Sequence, residues 1–138
     1  MKNLTVVLSL LLTSVIAQGQ DIVQKQVLNI GMTLASEGYE LTHDIKFASL
    51  NDGRSDSYYF TLDRGNAYKI YAVCDEDCGD LDLCIYDENG NEIECDESSD
   101  DLPIVSVSPK WTGRFRLWVK MYDCSINPCR FGIAIFGR

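Results

Sequence analysis

With 21 acidic against 12 basic residues in 138 positions, the chain carries a formal charge of −9. That is the wrong sign for neutralising nucleic-acid phosphates or settling on an anionic membrane. The length suits one hydrophobic core rather than two, and beyond the N-terminus no apolar stretch approaches the ~20 residues that span a bilayer.

In chain order, Lys2 precedes an apolar run from Leu4 to Ile16 broken only by Thr5, Ser9, Thr13 and Ser14. Val15-Ile16-Ala17, or alternatively Ala17-Gln18-Gly19, then offers a small-x-small cleavage site. This is the layout of a secretory signal peptide over residues 1–19. It predicts a secreted or periplasmic product, whose charge becomes −10 once Lys2 is removed. Residues 20–39 form an N-terminal helical segment. Val23, Val27, Ile30 and Leu34 fall on one helical stripe, Asp21 is placed to cap its start, and Gly38 to end it. Gly31 weakens the pattern.

From residue 40 the period changes to two. Tyr58, Phe60 and Leu62 alternate with Tyr59 and Thr61, then Tyr68, Ile70 and Ala72 with Lys69, Tyr71 and Val73. Leu81, Leu83 and Ile85 alternate with Asp82, Cys84 and Tyr86, and Asn89-Gly90 marks a hairpin. Ile104 to Val107, then Phe115, Leu117 and Val119, and finally Phe131, Ile133 and Ile135 complete the strands. Short strands at this spacing, with turn signals between them, indicate a sandwich or barrel.

Cys74, Cys78, Cys84, Cys95, Cys124 and Cys129 all follow the leader, an even number that reads as a disulfide framework in an exported chain. Number alone does not fix their pairing. The sequence-local pairs Cys74–Cys78 and Cys124–Cys129 would leave Cys84 for Cys95. Two hairpin cues disagree on that last pair. A two-residue loop at Asn89-Gly90 sets Cys84 opposite Cys95, whereas a three-residue loop with a bulge at Gly90 sets Ile85 opposite Ile93. Zinc is a poor fit, because the cysteines lack the x2 knuckle spacing and His43, the only histidine, is distant.

Between Asp75 and Asp101 there are thirteen carboxylates and no Lys or Arg. Asp75, Asp77, Asp80 and Asp82 are the candidate ligands there for calcium, which takes six to eight oxygens from flexible carboxylates and carbonyls. The competing reading is a solvated acidic face. Catalysis finds little support, since His43 has no nucleophile motif beside it and the cysteines are expected to be oxidised. If Phe60, Ile70, Leu83 and Leu117 face the core, Tyr59, Tyr71 and Trp118 face away, with Arg116 beside them. These four are candidate binding residues, unless the N-terminal helix buries its stripe over them.

Several blocks resemble the bacterial pre-peptidase C-terminal (PPC) domain family. They are Asp56-x-Tyr58-x-Phe60-x-Leu62-x2-Gly65-x2-Tyr68-x-Ile70, Asp80-Leu81-Asp82-Leu83-x-Ile85-Tyr86-Asp87-x-Asn89-Gly90, Pro103-Ile104-Val105, and Thr112-Gly113-Arg114-Phe115-Arg116-Leu117-Trp118-Val119. The resemblance implies a jelly-roll-like antiparallel β-sandwich. It also implies an accessory role in localisation, secretion or substrate contact alongside exported enzymes. The combined expectation is an all-β sandwich of about eight strands over residues 40–138, preceded by one short helix. Its expected function is that of a secreted, non-catalytic module contacting an extracellular protein or polysaccharide, with calcium as a candidate stabiliser. The alternative is an accessory subunit docking on a separately encoded exported enzyme.

Overall fold

The computed structural model describes residues 21–138, so the signal-peptide reading of residues 1–19 lies outside the described residues. Helix α1 spans Ile22–Ser36. Nine strands follow: β1 (Glu40–Leu41), β2 (Lys46–Leu50), β3 (Ser55–Leu62), β4 (Tyr68–Cys74), β5 (Cys78–Tyr86), β6 (Glu92–Asp96), β7 (Ile104–Val107), β8 (Gly113–Cys124) and β9 (Cys129–Gly137). They form two antiparallel sheets. Sheet A runs β1-β9-β4-β7 with β2 also on β9, and sheet B runs β3-β8-β5-β6. The expected all-β sandwich is therefore present, with one helix.

The side-chain pattern explains the layering. Every second residue of β8 (Phe115, Leu117, Val119, Met121) is buried between the sheets, while Arg116, Trp118 and Lys120 are half-buried on the far side. That alternation belongs to a sheet with one wet face. By contrast, β9 is buried at every position but Arg130, as befits a strand covered on both sides. Its inner residues Phe131, Ile133 and Ile135 join the inter-sheet core. Its outer residues Ala134 and Phe136 join a second cluster with Val23, Val27, Leu34, Tyr71 and Val73.

That second cluster lies beneath α1. Asp21 caps the helix by accepting from the Val23 N–H at 3.0 Å. The other end closes through Gly38 (φ 88°), with Tyr39 N–H donating to Leu34 and Gly38 N–H to Ala35. Gly31, which weakens the helix on propensity, lets it approach the sheet, since a Cβ there would stand 2.9 Å from Phe136 Cζ. Tyr71 is fully buried and donates its hydroxyl to the Val27 carbonyl at 2.7 Å.

All three disulfides follow the expected pairs. Cys74–Cys78 closes the β4–β5 turn, Cys124–Cys129 the β8–β9 turn, and Cys84–Cys95 crosses from β5 to β6. The hairpin combines the three-residue loop of one cue with the Cys84–Cys95 pairing of the other, and sets Ile85 opposite Glu94 rather than Ile93. Asp87 N–H donates to the Asn91 carbonyl across a three-residue loop in which Gly90 has φ 81°. A second irregularity, between Ile85 and Tyr86, then sets Cys84 opposite Cys95. The strand β6 has one further role. Asp96 accepts from the Ile104 N–H at 2.9 Å and Glu94 from the Ser106 N–H, so its carboxylates satisfy donors on the free edge of β7.

Candidate binding face

Sheet B's outer face is built in rows by strand register. Tyr59, Arg116 and Tyr86 stand side by side, as do Ser57, Trp118 and Cys84 in the next row, and Ser55, Lys120 and Asp82 beyond them. Arg114, opposite Thr61, extends the β8 stripe at the other end. Rings hold these cations: the Arg114 guanidinium lies 4.5 Å from the centre of the Tyr59 ring and that of Arg116 lies 4.1 Å from Tyr86. Lys120 Nζ is 5.2 Å from the Tyr122 ring. Arg116 also donates to Ser57 Oγ at 3.3 Å.

Among the described residues the ion pairs are Lys69–Glu37 and Arg130–Asp21, so Arg114, Arg116 and Lys120 make none there, although Lys120 stands opposite Asp82 and Asp87 and Glu88 line the pocket beside Arg114 and Arg116. An open pocket of about 510 Å³ lies among Tyr59, Asp87, Glu88, Gly90, Arg114 and Arg116. Asp87 is committed to the hairpin there. It accepts from Asn89 N, Asn91 N and Asn91 Nδ2, and these bonds, the Asn91 backbone one foremost, hold its carboxyl below the usual range.

Of the candidate binding residues, the structure brings Tyr59, Arg116 and Trp118 together on this face. Tyr71 is not among them. It sits buried on the outer face of sheet A under α1, so its aromatic surface is taken up by the helix. Alternation places Tyr59 and Tyr71 both away from the core, but on opposite outer surfaces of the sandwich. The helix thus covers one outer face and leaves the other open. Arg114 and Tyr86 complete the face. Their signal was available in sequence, since each continues the outward parity of Arg116 or Cys84.

The candidate metal ligands also divide. Asp75 is spent on the chain itself, accepting from Asp77 N at 3.2 Å and Arg130 N at 2.7 Å. The Asp77 carbonyl accepts from Ser125 N, tying two disulfide-closed turns together. Asp80 and Asp82 instead lie on β5 and interact with each other. Burial, then the charges of Asp80 and Glu97, push the Asp82 carboxyl up to about 6. Burial also raises Asp80, where Asp100, Asp123 and Asp96 add their charges. Of these three, Asp96 and Asp100 belong to the acidic segment read from the sequence, whereas Asp123 lies outside it. Among the described residues, Cys84, Cys95 and Glu97 are the one group of three potential ligands within 4.8 Å of one another, and its two sulfurs are bonded to each other. His43 is held structurally, its Nδ1 2.8 Å from Thr42 Oγ1 and its Nε2 2.8 Å from the Thr61 carbonyl.

No family model matches the chain, and no curated protein matches it. Among solved structures, the pre-peptidase C-terminal domain of a collagenase from Bacillus anthracis is similar, with a TM-score of 0.53 and 16% identity over 67% of this chain and 87% of that one. At that identity the likeness concerns the fold: this chain adopts a PPC-like β-sandwich.

Proposed function

We propose that the protein is an exported, non-catalytic binding or adhesion module that contacts an extracellular protein or polysaccharide through the outer face of sheet B. The observation that carries this reading is the asymmetry of the sandwich. One sheet is sealed by α1, while the other presents Tyr59, Tyr86 and Trp118 with three cations along β8 that make no ion pair among the described residues. Tyr, Trp and Arg are the residue types that dominate recognition hot spots. The leader sequence and three disulfides support export. Calcium would act as a stabiliser of the acidic end rather than as a reagent.

The test is binding of the mature protein to immobilised extracellular proteins and polysaccharides, with Tyr59→Ala, Arg116→Ala and Trp118→Ala measured beside the parent. Loss of about thirtyfold or more in affinity, with unchanged melting temperature, is the hot-spot result. A second reading has its own observation. The solvent side of α1 exposes Leu28 (52%) and Met32 (72%), which suits an accessory subunit docking on a separately encoded exported enzyme. Binding that survives the sheet substitutions and fails in Leu28→Ser/Met32→Ser would replace the first reading with this one.

A further inference from the structure

The start of β5 carries two carboxylates, Asp80 and Asp82, each with one buried oxygen that meets no hydrogen-bond donor among the described residues, whereas Asp100 in the nearby loop already accepts from Leu102 N–H at 3.0 Å. Register shifts on either side of Asp80 set it opposite Asp123 of β8. Asp123 lies close against this bend: a Cβ on Gly79 would stand 2.7 Å from its Oδ2. The β6–β7 loop closes over the same place, where Leu81 N–H donates to the Asp100 carbonyl at 3.0 Å. Asp82 is only 6% exposed. Oδ1 of Asp82 and Oδ1 of Asp80 are both buried and meet no donor among the described residues, so the two carboxyls have only each other to share a proton with.

A buried carboxylate oxygen without a donor is costly, so such atoms take either a proton or a cation. Lys120, opposite Asp82, supplies one positive charge against four clustered acids. Its ammonium leans 5.2 Å from the Tyr122 ring and makes no ion pair among those described. The available donors are all hard oxygens from three elements, which is calcium chemistry rather than zinc or copper chemistry. No three of these carboxylates have oxygens within 4.8 Å of one another, so loading must draw side chains inward. That rearrangement points to the weak, ~0.1–1 mM range of extracellular calcium modules.

We propose that Asp80, Asp82, Asp100 and Asp123 form a calcium site that ties the start of β5 to β8 and to the β6–β7 loop. The site is independent of whatever the β8 stripe binds. Its test is thermal unfolding of the chelator-stripped, disulfide-intact mature protein at neutral pH, with calcium chloride or magnesium chloride added. Calcium at about ten times its dissociation constant raises the melting temperature by roughly 5 °C. Magnesium, which dehydrates reluctantly and demands octahedral geometry, does much less. Asp82→Asn raises the metal-free melting temperature by removing the repulsion and abolishes the calcium response. Asp123→Asn weakens it, and terbium luminescence reports the same loss without reference to stability. A parent protein indifferent to ~10 mM calcium overturns the proposal, because the pair then holds a shared proton alone. A calcium response undiminished in Asp82→Asn overturns it as well.

Discussion

Removing the Tyr71 side chain in two steps measures how α1 is held on sheet A. Tyr71→Phe keeps the ring, which stacks 5.9 Å from Phe136, and deletes the hydroxyl that donates to Val27. The orphaned carbonyl lies within the helix and retains its intrahelical bond, so the loss is one net hydrogen bond, about 1 kcal/mol. For a domain of this size that lowers the melting temperature by about 4 °C. Tyr71→Ala also empties the space between Val27, Gly31 and Phe136, and large-to-small changes at such sites cost about 3–5 kcal/mol. Urea unfolding followed by circular dichroism reads both values, with an unchanged m in the phenylalanine variant. A cost below about 1 kcal/mol for the alanine variant would refute the packing of α1 on this sheet.

Further outcomes are fixed by other contacts. Replacing Cys84 and Cys95 by alanine opens a loop of sequence separation 11 and destabilises the domain by about 3 kcal/mol; equal denaturation midpoints for the two forms would contradict a cross-strand bond. Hydrogen bonds from Asn91 and Asn89 depress the Asp87 carboxyl. Its contribution is therefore present above the unfolded carboxylate value near pH 4 and lost as pH falls through the lower folded value. Asp87→Asn flattens that acid limb of the stability–pH profile, and a variant whose profile overlays the parent's would show that the hairpin does not depend on this charge.

Much of the fold is legible residue by residue. The Val23/Val27/Ile30/Leu34 stripe and Asp21 locate α1, and period-two alternation locates the long strands, because both patterns report burial directly. Parity along a strand says whether a side chain faces the core, but not which sheet the strand joins. For that reason Tyr71 and Tyr59 look equivalent in sequence, yet end on opposite surfaces. The Cys84 register resists a one-loop reading because two local irregularities offset each other in the β5–β6 hairpin. The acidic cluster is similar: Asp75 and Asp77 are nearest to Asp80 along the chain, whereas Asp123 and Asp100 reach it through pairing and loop closure. Proximity in sequence misleads wherever a strand is entered through a bulge.

The carboxylates of β6 have a bearing on solubility as well as on shape. Both β6 and β7 end their sheets, and a bare strand end invites pairing with a second molecule. Glu94 and Asp96 fill the main-chain donors of Ser106 and Ile104 from the side, so an incoming strand meets negative charge and no vacant N–H. Glu94→Ala/Asp96→Ala uncovers those donors, and light scattering of the double variant should rise with concentration while the parent stays monodisperse. The negative charge of this stretch thus acts on individual backbone groups, filling two main-chain donors of β7.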